Sequence, residues 1–170
     1  MKSDIFSLLN DSGQSKWKLW LLNIILRHKI PFNKPHGLKI IEVGHEKVRT
    51  ILPYKKKNLN HLGGLHACAL AAVGEFTGGI AMLNSLRSDQ LRFIMKDLHM
   101  TYHYQGRMNV SAEVSMSEKD AKEMILARLE SSDAVMYKQV IEMHDKAGSH
   151  ICTCEVNWQI KKWNKVRTDK

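Results

Sequence analysis

A polar, glycine-containing segment in the middle of the chain carries residue types that suit acyl transfer. Asn60, Gly63, Gly64 and His66 come directly before an apolar stretch that favours a helix and that holds one acid, Glu75. The segment offers an amide side chain and an imidazole beside the unpaired N–H groups of a helix N-terminus. Those groups carry partial positive charge and can stabilise an oxyanion. The pattern therefore indicates an acyl-transfer site.

The spacing of His66 and Glu75 indicates that more than one chain builds this site. The nine positions between them (75 − 66) correspond to two and a half helical turns, or about 13 Å along the axis, and place them on opposite faces. One helix cannot direct both side chains at one substrate. If the two cooperate, we expect Glu75 to come from a second copy of the helix across a two-fold axis, in a homodimer with two equivalent sites.

These residues resemble the motif of the hotdog-fold acyl-CoA thioesterases, in the branch with Asn-x-x-Gly-x-x-His-Gly-Gly followed by an acid. The matching positions are Asn60, Gly63, His66 and Glu75. The resemblance implies that Asn60 and Glu75 position or activate the attacking water or nucleophile, and that His66 orients the turn. It also implies that the backbone N–H after the histidine, here that of Ala67, polarises the thioester carbonyl of an acyl-CoA substrate.

The chain departs from this motif at Ala67 and Cys68, where the family usually has two glycines. The N–H of Ala67 survives the change if the backbone stays helical, but the Cβ atoms add bulk where the thioester would approach. Two alternatives on the same fold therefore stay open, a non-catalytic protein that binds acyl-CoA or another acyl ligand, and a hydroxyacyl-thioester dehydratase. Gly63, Gly64 and Cys68 are predicted to contact the substrate. As a nucleophile Cys68 is disfavoured, and we expect a small buried residue there.

The formal net charge of +9 favours an anionic partner. The candidates are the phosphates of coenzyme A, nucleic acid and an acidic membrane surface. Lys55, Lys56 and Lys57 lie just before the motif, where we predict that they bind coenzyme phosphates, although such a run is also typical of a solvated edge. A basic protein that docks on nucleic acid or anionic lipid is a third alternative. No nucleic-acid partner is expected, because basic and aromatic residues are not interleaved.

Other enzyme classes lack their motifs in this sequence. There is no Gly-x-Ser-x-Gly segment, no P-loop and no Gly-x-Gly-x-x-Gly segment. The chain has nine histidines, but no complete ligand set. His99 and His103 would lie about 13 Å apart on a strand, too far to share one ion. Neither a metal nor a cofactor is predicted.

Cysteine usage and hydropathy predict a cytoplasmic protein. The three cysteines are an odd number without the spacing of a disulfide framework. The apolar run 19–26 is too short to span a bilayer, and no small-residue cleavage site follows it. We therefore expect no integral membrane association.

Alternating polar and apolar residues predict antiparallel strands on both sides of a long apolar helix at 65–83. A hairpin is expected before the helix. After it come two half-buried strands joined near Gly106, a short helix that starts at Ser117, and a long hairpin. The predicted strands are 38–43, 48–52, 98–104, 108–116, 135–143 and 152–160.

This order of elements resembles that of the hotdog fold, an α+β architecture in which a curved antiparallel sheet wraps around a long central helix. The predicted parts are an N-terminal helical extension at 1–36, a hotdog domain at 37–160 and a basic C-terminal tail at 161–170. In the extension, apolar residues recur at helical spacing between Ser15, a candidate N-cap, and Pro31. These residues, expected to pack on the sheet or in the dimer, are Trp17, Trp20, Leu21, Ile24 and Ile25. The resemblance implies a homodimer and leaves a dimer of dimers open.

Overall fold

The computed structural model describes residues 2–166 of the chain, and side chains from residue 5 onward. The helices are α1 (Lys2–Ser12), α2 (Lys16–Lys29), α3 (Asn33–His36), α4 (Ala67–Leu86), α5 (Glu118–Ala121) and α6 (Arg128–Ser131). The strands are β1 (Lys39–Val43), β2 (Lys47–Leu52), β3 (Leu91–Tyr102), β4 (Val110–Ser115), β5 (Val135–Asp145) and β6 (His150–Lys162). Lys56–Asn58 and Trp163–Lys165 are 3₁₀ turns, and Lys122–Leu126 is a π-helical turn between α5 and α6.

The six strands form one antiparallel sheet in the order β1-β2-β4-β5-β6-β3. The long helix α4 packs against β2, β3, β4, β5 and β6. This arrangement confirms the predicted α+β architecture of a sheet around a central helix, with an additional helical segment at the N-terminus. The predicted first hairpin corresponds to β1 and β2, and the predicted long hairpin to β5 and β6.

Helix α4 is buried because the sheet approaches it closely at positions without side chains. A Cβ at Gly74 would lie 2.6 Å from Sγ of Cys154, and one at Gly78 would lie 2.7 Å from Oε1 of Gln139. The glycines therefore admit side chains of β5 and β6. By length and composition α4 could cross a membrane, but most of it is buried, as in the core helix of a folded domain.

The two strands that meet near Gly106 are consecutive in the chain but are not neighbours in the sheet. β3 pairs with β6 at one edge, whereas β4 lies between β2 and β5. β3 also begins at Leu91, seven residues before the predicted strand (98 − 91). The alternation of residue types showed which residues share a face of the sheet. It did not show which strand lies beside which.

The N-terminal extension contains two helices more than predicted, α1 and the short α3, and α2 leaves its tryptophans exposed. Ser15 caps α2 as expected, by accepting the N–H of Lys18. The fully buried residues of α2 are Leu22 and Leu26. Trp17 and Trp20 are 63% and 52% exposed and stack on each other, with ring centroids 4.7 Å apart. The two indoles therefore do not pack on the sheet of their own chain, and their packing in a dimer stays a prediction.

The helix after β4, the two cysteines of β6 and the end of β6 agree closely with the predictions. Ser117 begins a helix through a capping box with Asp120. Cys152 and Cys154 are both buried, and burial raises the pKa of each thiol to about 12. They are unreactive small apolar residues, as expected. β6 runs to Lys162, two residues beyond the predicted end of the domain. Of the basic tail, residues 167–170 lie outside the described part of the chain.

Candidate functional site

The Asn60 turn, residues 60–64, is held by its own asparagine side chain. Oδ1 of Asn60 accepts the backbone N–H groups of Leu62 and Gly64 at 2.9 and 3.1 Å. The N–H of Asn60 donates to the carbonyl of Gly64 at 2.8 Å and closes the turn. Gly63 has a φ of +73°, a left-handed conformation that favours glycine. Within the described residues Nδ2 of Asn60 donates no hydrogen bond, so it is free to donate to a ligand.

Two residues that the sequence did not point to fix this turn from outside. The hydroxyl of Tyr54 donates a hydrogen bond to the carbonyl of Gly63. Gln105, in the loop after β3, lies over Gly64, where a Cβ would be 2.5 Å from Cγ of Gln105. Gly63 and Gly64 therefore shape the turn, and contact with a substrate stays a prediction. The sequence feature that could have indicated Tyr54 is an aromatic residue shortly after the end of β2.

His66 caps the N-terminus of α4. The N–H of Cys68 donates to Nδ1 of His66 at 3.1 Å, so the neutral ring carries its proton on Nε2. The N–H of Ala67 donates no hydrogen bond to any residue in 2–166, and Ala67 is exposed. The helix thus presents one accessible free N–H at its start, where the partial positive charge of the helix terminus adds to it.

Tyr102, at the end of β3, contacts the first turn of α4 and was not predicted. Its hydroxyl donates to the carbonyl of Ala67 at 3.2 Å. Burial raises the pKa of the Tyr102 hydroxyl, and nearby thiols act in the same direction, so the phenol stays protonated at neutral pH. Cys68 is exposed beside it. The expectation of a buried Cys68 is wrong, because residues 66–68 at the start of α4 face away from the core.

Glu75 lies in the middle of α4 and is half-buried. Among the described residues its carboxyl group has neither a hydrogen bond nor an ion pair. Burial raises the pKa of this carboxyl group. It belongs to a stripe on α4 that the sheet leaves partly exposed, which consists of Cys68, Ala71, Ala72, Glu75 and Gly79. Helical rise places Glu75 about 13 Å along the axis from His66 at the start of α4, so one chain does not bring the predicted acid to the free N–H.

Asn58 connects this site to the N-terminal extension, and sequence reasoning missed it. Its side chain is buried and donates to the carbonyls of His36 and Pro53 at 2.9 and 2.8 Å. Oδ1 contacts Nδ1 of His36 at 3.0 Å. The carbonyl of Asn58 accepts the N–H of His66 at 2.8 Å. One residue therefore ties α3, the segment after β2 and the N-cap of α4 together.

The lysine run lies beside the extension. Lys55 lines a groove with Arg27 of α2 and Lys34 of α3. Lys56 and Lys57 are exposed at the edge of this groove. The structure therefore gathers more cations at this position than the three predicted from the sequence.

The histidines do not form a metal centre. Within the described part of the chain, no three His, Cys, Asp or Glu side chains converge as metal ligands. His150 lies between His103 and His144, with ring centroids 4.3 and 4.8 Å away. Nε2 of His150 also contacts Oε2 of Glu142 at 2.6 Å.

The antiparallel sheet around a long helix, with a polar turn at the start of that helix, defines a hotdog-fold protein. The chain belongs to the family described as a domain of unknown function, DUF4442, whose model matches residues 19–160. No curated protein matches it.

Solved structures are similar over most of the chain. A Pseudomonas aeruginosa protein of unknown function, described as a probable thioesterase, is 20% identical. Their match covers 84% of this chain and 94% of that one with a TM-score of 0.77. For a Haemophilus influenzae thioesterase the identity is 15%, the coverage 85% and 90%, and the TM-score 0.67. A variant of another Pseudomonas aeruginosa thioesterase is 13% identical, with coverage of 81% and 91% and a TM-score of 0.65. At such identities these similarities establish the fold.

Proposed function

We propose that this protein hydrolyses acyl thioesters, with acyl-CoA as the substrate, at a site shared between the two chains of a homodimer. The observation that carries the proposal is the exposed, unpaired N–H of Ala67 at the start of a buried helix, beside the Asn60 turn. A donor in this position suits a thioester oxygen that becomes negatively charged in the transition state. The thioesterases among the structurally similar proteins support the proposal at the level of the fold.

Two features of the single chain support the dimer. β3, twelve residues long, forms one edge of the sheet and pairs only with β6 among the described strands. Its exposed apolar residues include Ile94 and Met95, at 43% and 40% exposure. The partly exposed stripe of α4 consists of small residues around Glu75. A second copy that pairs through β3 would bring its own α4 close to this stripe.

In the proposed reaction the thioester oxygen accepts a hydrogen bond from the Ala67 N–H, and Nδ2 of Asn60 donates to the oxygen of the attacking water and aligns it. Glu75 of the partner subunit, as its carboxylate, removes a proton from a water molecule while the water oxygen attacks the carbonyl carbon. Attack by the carboxylate itself, through an anhydride that water then hydrolyses, is the other form of the mechanism. When the tetrahedral intermediate collapses, the C–S bond breaks and the thiolate takes up a proton. The products are a carboxylic acid and a free thiol.

The raised pKa of Glu75 fits this role. Burial disfavours the charged form, so the carboxylate is a stronger base than an exposed one. A half-buried carboxyl group without a partner also lowers the stability of the single chain. Its presence is explained if the active site needs a carboxylate at this position.

A panel of acyl-CoA thioesters, assayed by the release of free thiol, tests the proposal. We expect Glu75→Gln to lower kcat at least about 100-fold, because the amide cannot accept the proton of water. Glu46→Gln, at an exposed acid in the β1–β2 turn, is the matched control and should keep full activity. Full turnover by Glu75→Gln would reject the role of Glu75.

The second candidate function is acyl-ligand binding without hydrolysis, or hydration chemistry on the same fold. The side chains of Ala67 and Cys68 are both exposed at the helix start, where the related motif has no side chains. They can hold the thioester away from the free N–H. Tight binding of acyl-CoA without thiol release would support the binding protein, and interconversion of hydroxyacyl-CoA and enoyl-CoA would support the dehydratase.

A further inference from the structure

A groove of about 570 Å³ runs between the N-terminal extension and the segment that precedes the Asn60 turn. It is lined by residues of α2, α3, the start of β1 and the loop after β2. Its charged residues are Arg27, Lys34, Lys39 and Lys55, and an adjoining depression adds Lys56 and Lys57. No acid lines either depression, and none of these six cations forms an ion pair within the described residues.

The positive charges in the groove lie close enough to repel one another. Burial lowers the pKa of Lys55, and the charges of Lys57, Arg27 and Lys39 lower it further. Lys55 is positioned over Gly37, where a Cβ would lie 2.6 Å from its Nζ, and Gly37 has a φ of +68°. An anion in the groove would relieve the repulsion among these charges.

One wall of the groove is aromatic and apolar. Trp20 lines it, is 52% exposed, and is supported from behind by its stack with Trp17. Ile24 and Ile51 contribute further apolar surface. A flat indole beside several cations suits a ligand that carries phosphates on a planar ring.

The groove is also connected to the candidate active site of the same chain. Asn58 follows the lysine run, bonds to His36 at the end of α3, and accepts the N–H of His66 at the start of α4. A ligand that binds at Lys55 therefore lies only a few residues along the chain from the Asn60 turn. This connection suits one long substrate that occupies both places.

We infer that this groove binds the phosphorylated nucleotide of a coenzyme-borne thioester, with the base against Trp20 and the phosphates on Arg27, Lys34, Lys39 and Lys55. The inference rests on the proposed function for the identity of the thioester. It adds residues of the N-terminal extension and of β1 to the substrate site. Binding of the nucleotide itself requires no hydrolysis, so the two proposals can fail separately.

Titration calorimetry of the full chain with adenosine 3′,5′-bisphosphate tests the inference. We expect binding that weakens with salt, and a loss of affinity of at least about 10-fold in the double variant Lys34→Gln/Lys55→Gln, since two phosphate contacts are removed. Lys146→Gln, at an exposed lysine of the β5–β6 turn, is the control and should bind as the wild type does. Trp20→Leu should weaken the bisphosphate several-fold but leave binding of inorganic pyrophosphate unchanged.

Failure of the wild type to bind the bisphosphate, or equal binding by the double variant, would overturn the inference. It would also be overturned if vesicles rich in phosphatidylserine bound through Lys34 and Lys55 while the nucleotide did not. Assays of thioester hydrolysis distinguish the failure of one proposal from the failure of the other. The double variant should raise KM for acyl-CoA and leave the cleavage of acyl N-acetylcysteamine thioesters, which lack the nucleotide, unchanged. Bisphosphate binding without any thioester cleavage would reject the proposed function and retain the groove.

Discussion

The two edge strands of the sheet differ in what covers them: helices α1 and α2 cover β1, whereas β3 pairs only with β6 among the described strands. At the β1 edge, the side chain of Asn23 donates to the carbonyl of Ile40 at 2.9 Å and accepts its N–H at 2.8 Å. Gly13 packs so closely that a Cβ there would be 2.5 Å from the carbonyl oxygen of Val43. At the other edge, β3 pairs only with β6 within residues 2–166 and exposes apolar side chains such as Ile94.

This difference favours the β3 edge as the surface through which the proposed dimer forms. An exposed strand edge is a template for pairing with another chain, and proteins normally cover it or interrupt it. Here the short β1 is covered by α1 and α2, while the longer β3 is left open. The open edge belongs to the strand whose Tyr102 contacts the start of α4. In the proposed dimer, the contact between the chains and the candidate chemistry would therefore lie on the same side of the molecule.

The largest effect is expected from a charge on the open edge. Ile94→Lys should convert dimers into monomers and lower thioester hydrolysis at least about 100-fold, because the acid of the partner subunit is lost. Ile41→Lys places the same charge on β1, where Ile41 has a similar exposure of 39%, and should change neither property. Light scattering after gel filtration, together with thiol release, measures both. A dimeric and active Ile94→Lys variant would remove the distinction between the edges.

A smaller effect is expected at the covered edge. Asn23→Leu removes the bonds to both backbone groups of Ile40 and to the carbonyl of Leu19. We expect a loss of about 2–3 kcal/mol in the free energy of unfolding, since polar groups of β1 lose their partners. Denaturant unfolding measures it, and Asn10→Leu on the exposed face of α1 serves as control. No loss of stability would show that β1 needs no cover from α2.

The smallest effect concerns Glu75 on the uncovered stripe of α4. Its pKa in the folded protein is raised from the ordinary value of 4.5 by burial, so the folded state binds the proton more tightly than the unfolded state does. The stability of the wild type therefore falls as the pH rises from about the ordinary value through the raised pKa. Glu75→Gln lacks this loss and should melt about 1–3 °C higher at pH 8. The difference should vanish below about pH 4, and thermal melts across this range measure it. A Gln variant that melts lower at pH 8 would indicate that the carboxylate has a stabilising partner.

Local patterns predicted the parts of this fold that depend on neighbouring residues. Alternation predicted the β1–β2 hairpin, and the long apolar stretch predicted α4. The position of β3 depends on pairing with β6, whose paired residues lie 50 to 71 positions later in the chain (152 − 102 and 162 − 91). Periodicity carries no information on such pairing. Helical spacing did not separate the buried residues of α2, Leu22 and Leu26, from its exposed tryptophans, because spacing alone cannot rank two apolar faces.

In the candidate site, too, contacts between sequence neighbours were predictable and contacts between distant residues were not. Asn60, His66 and Ala67 are close in sequence, so their residue types and spacing alone indicate a site. Tyr102 and Asn58 contact residues far away in the chain. Tyr102 bonds to Ala67, 35 positions away, and Asn58 bonds to His36, 22 positions away. Neither has an unusual residue type or local spacing.

If the chain dimerises as proposed, the bonds between Asn23 and Ile40 would also limit how many copies can join. A molecule with one open edge can pair once, and the two-fold dimer that results has no edge left to offer. If α1 and α2 were removed, both edges would be available, and each added molecule would present a new one to the next, as in a growing fibre. In the proposed dimer, the amide of Asn23 would therefore limit the assembly to a finite number of subunits, because it occupies backbone groups of the other edge strand.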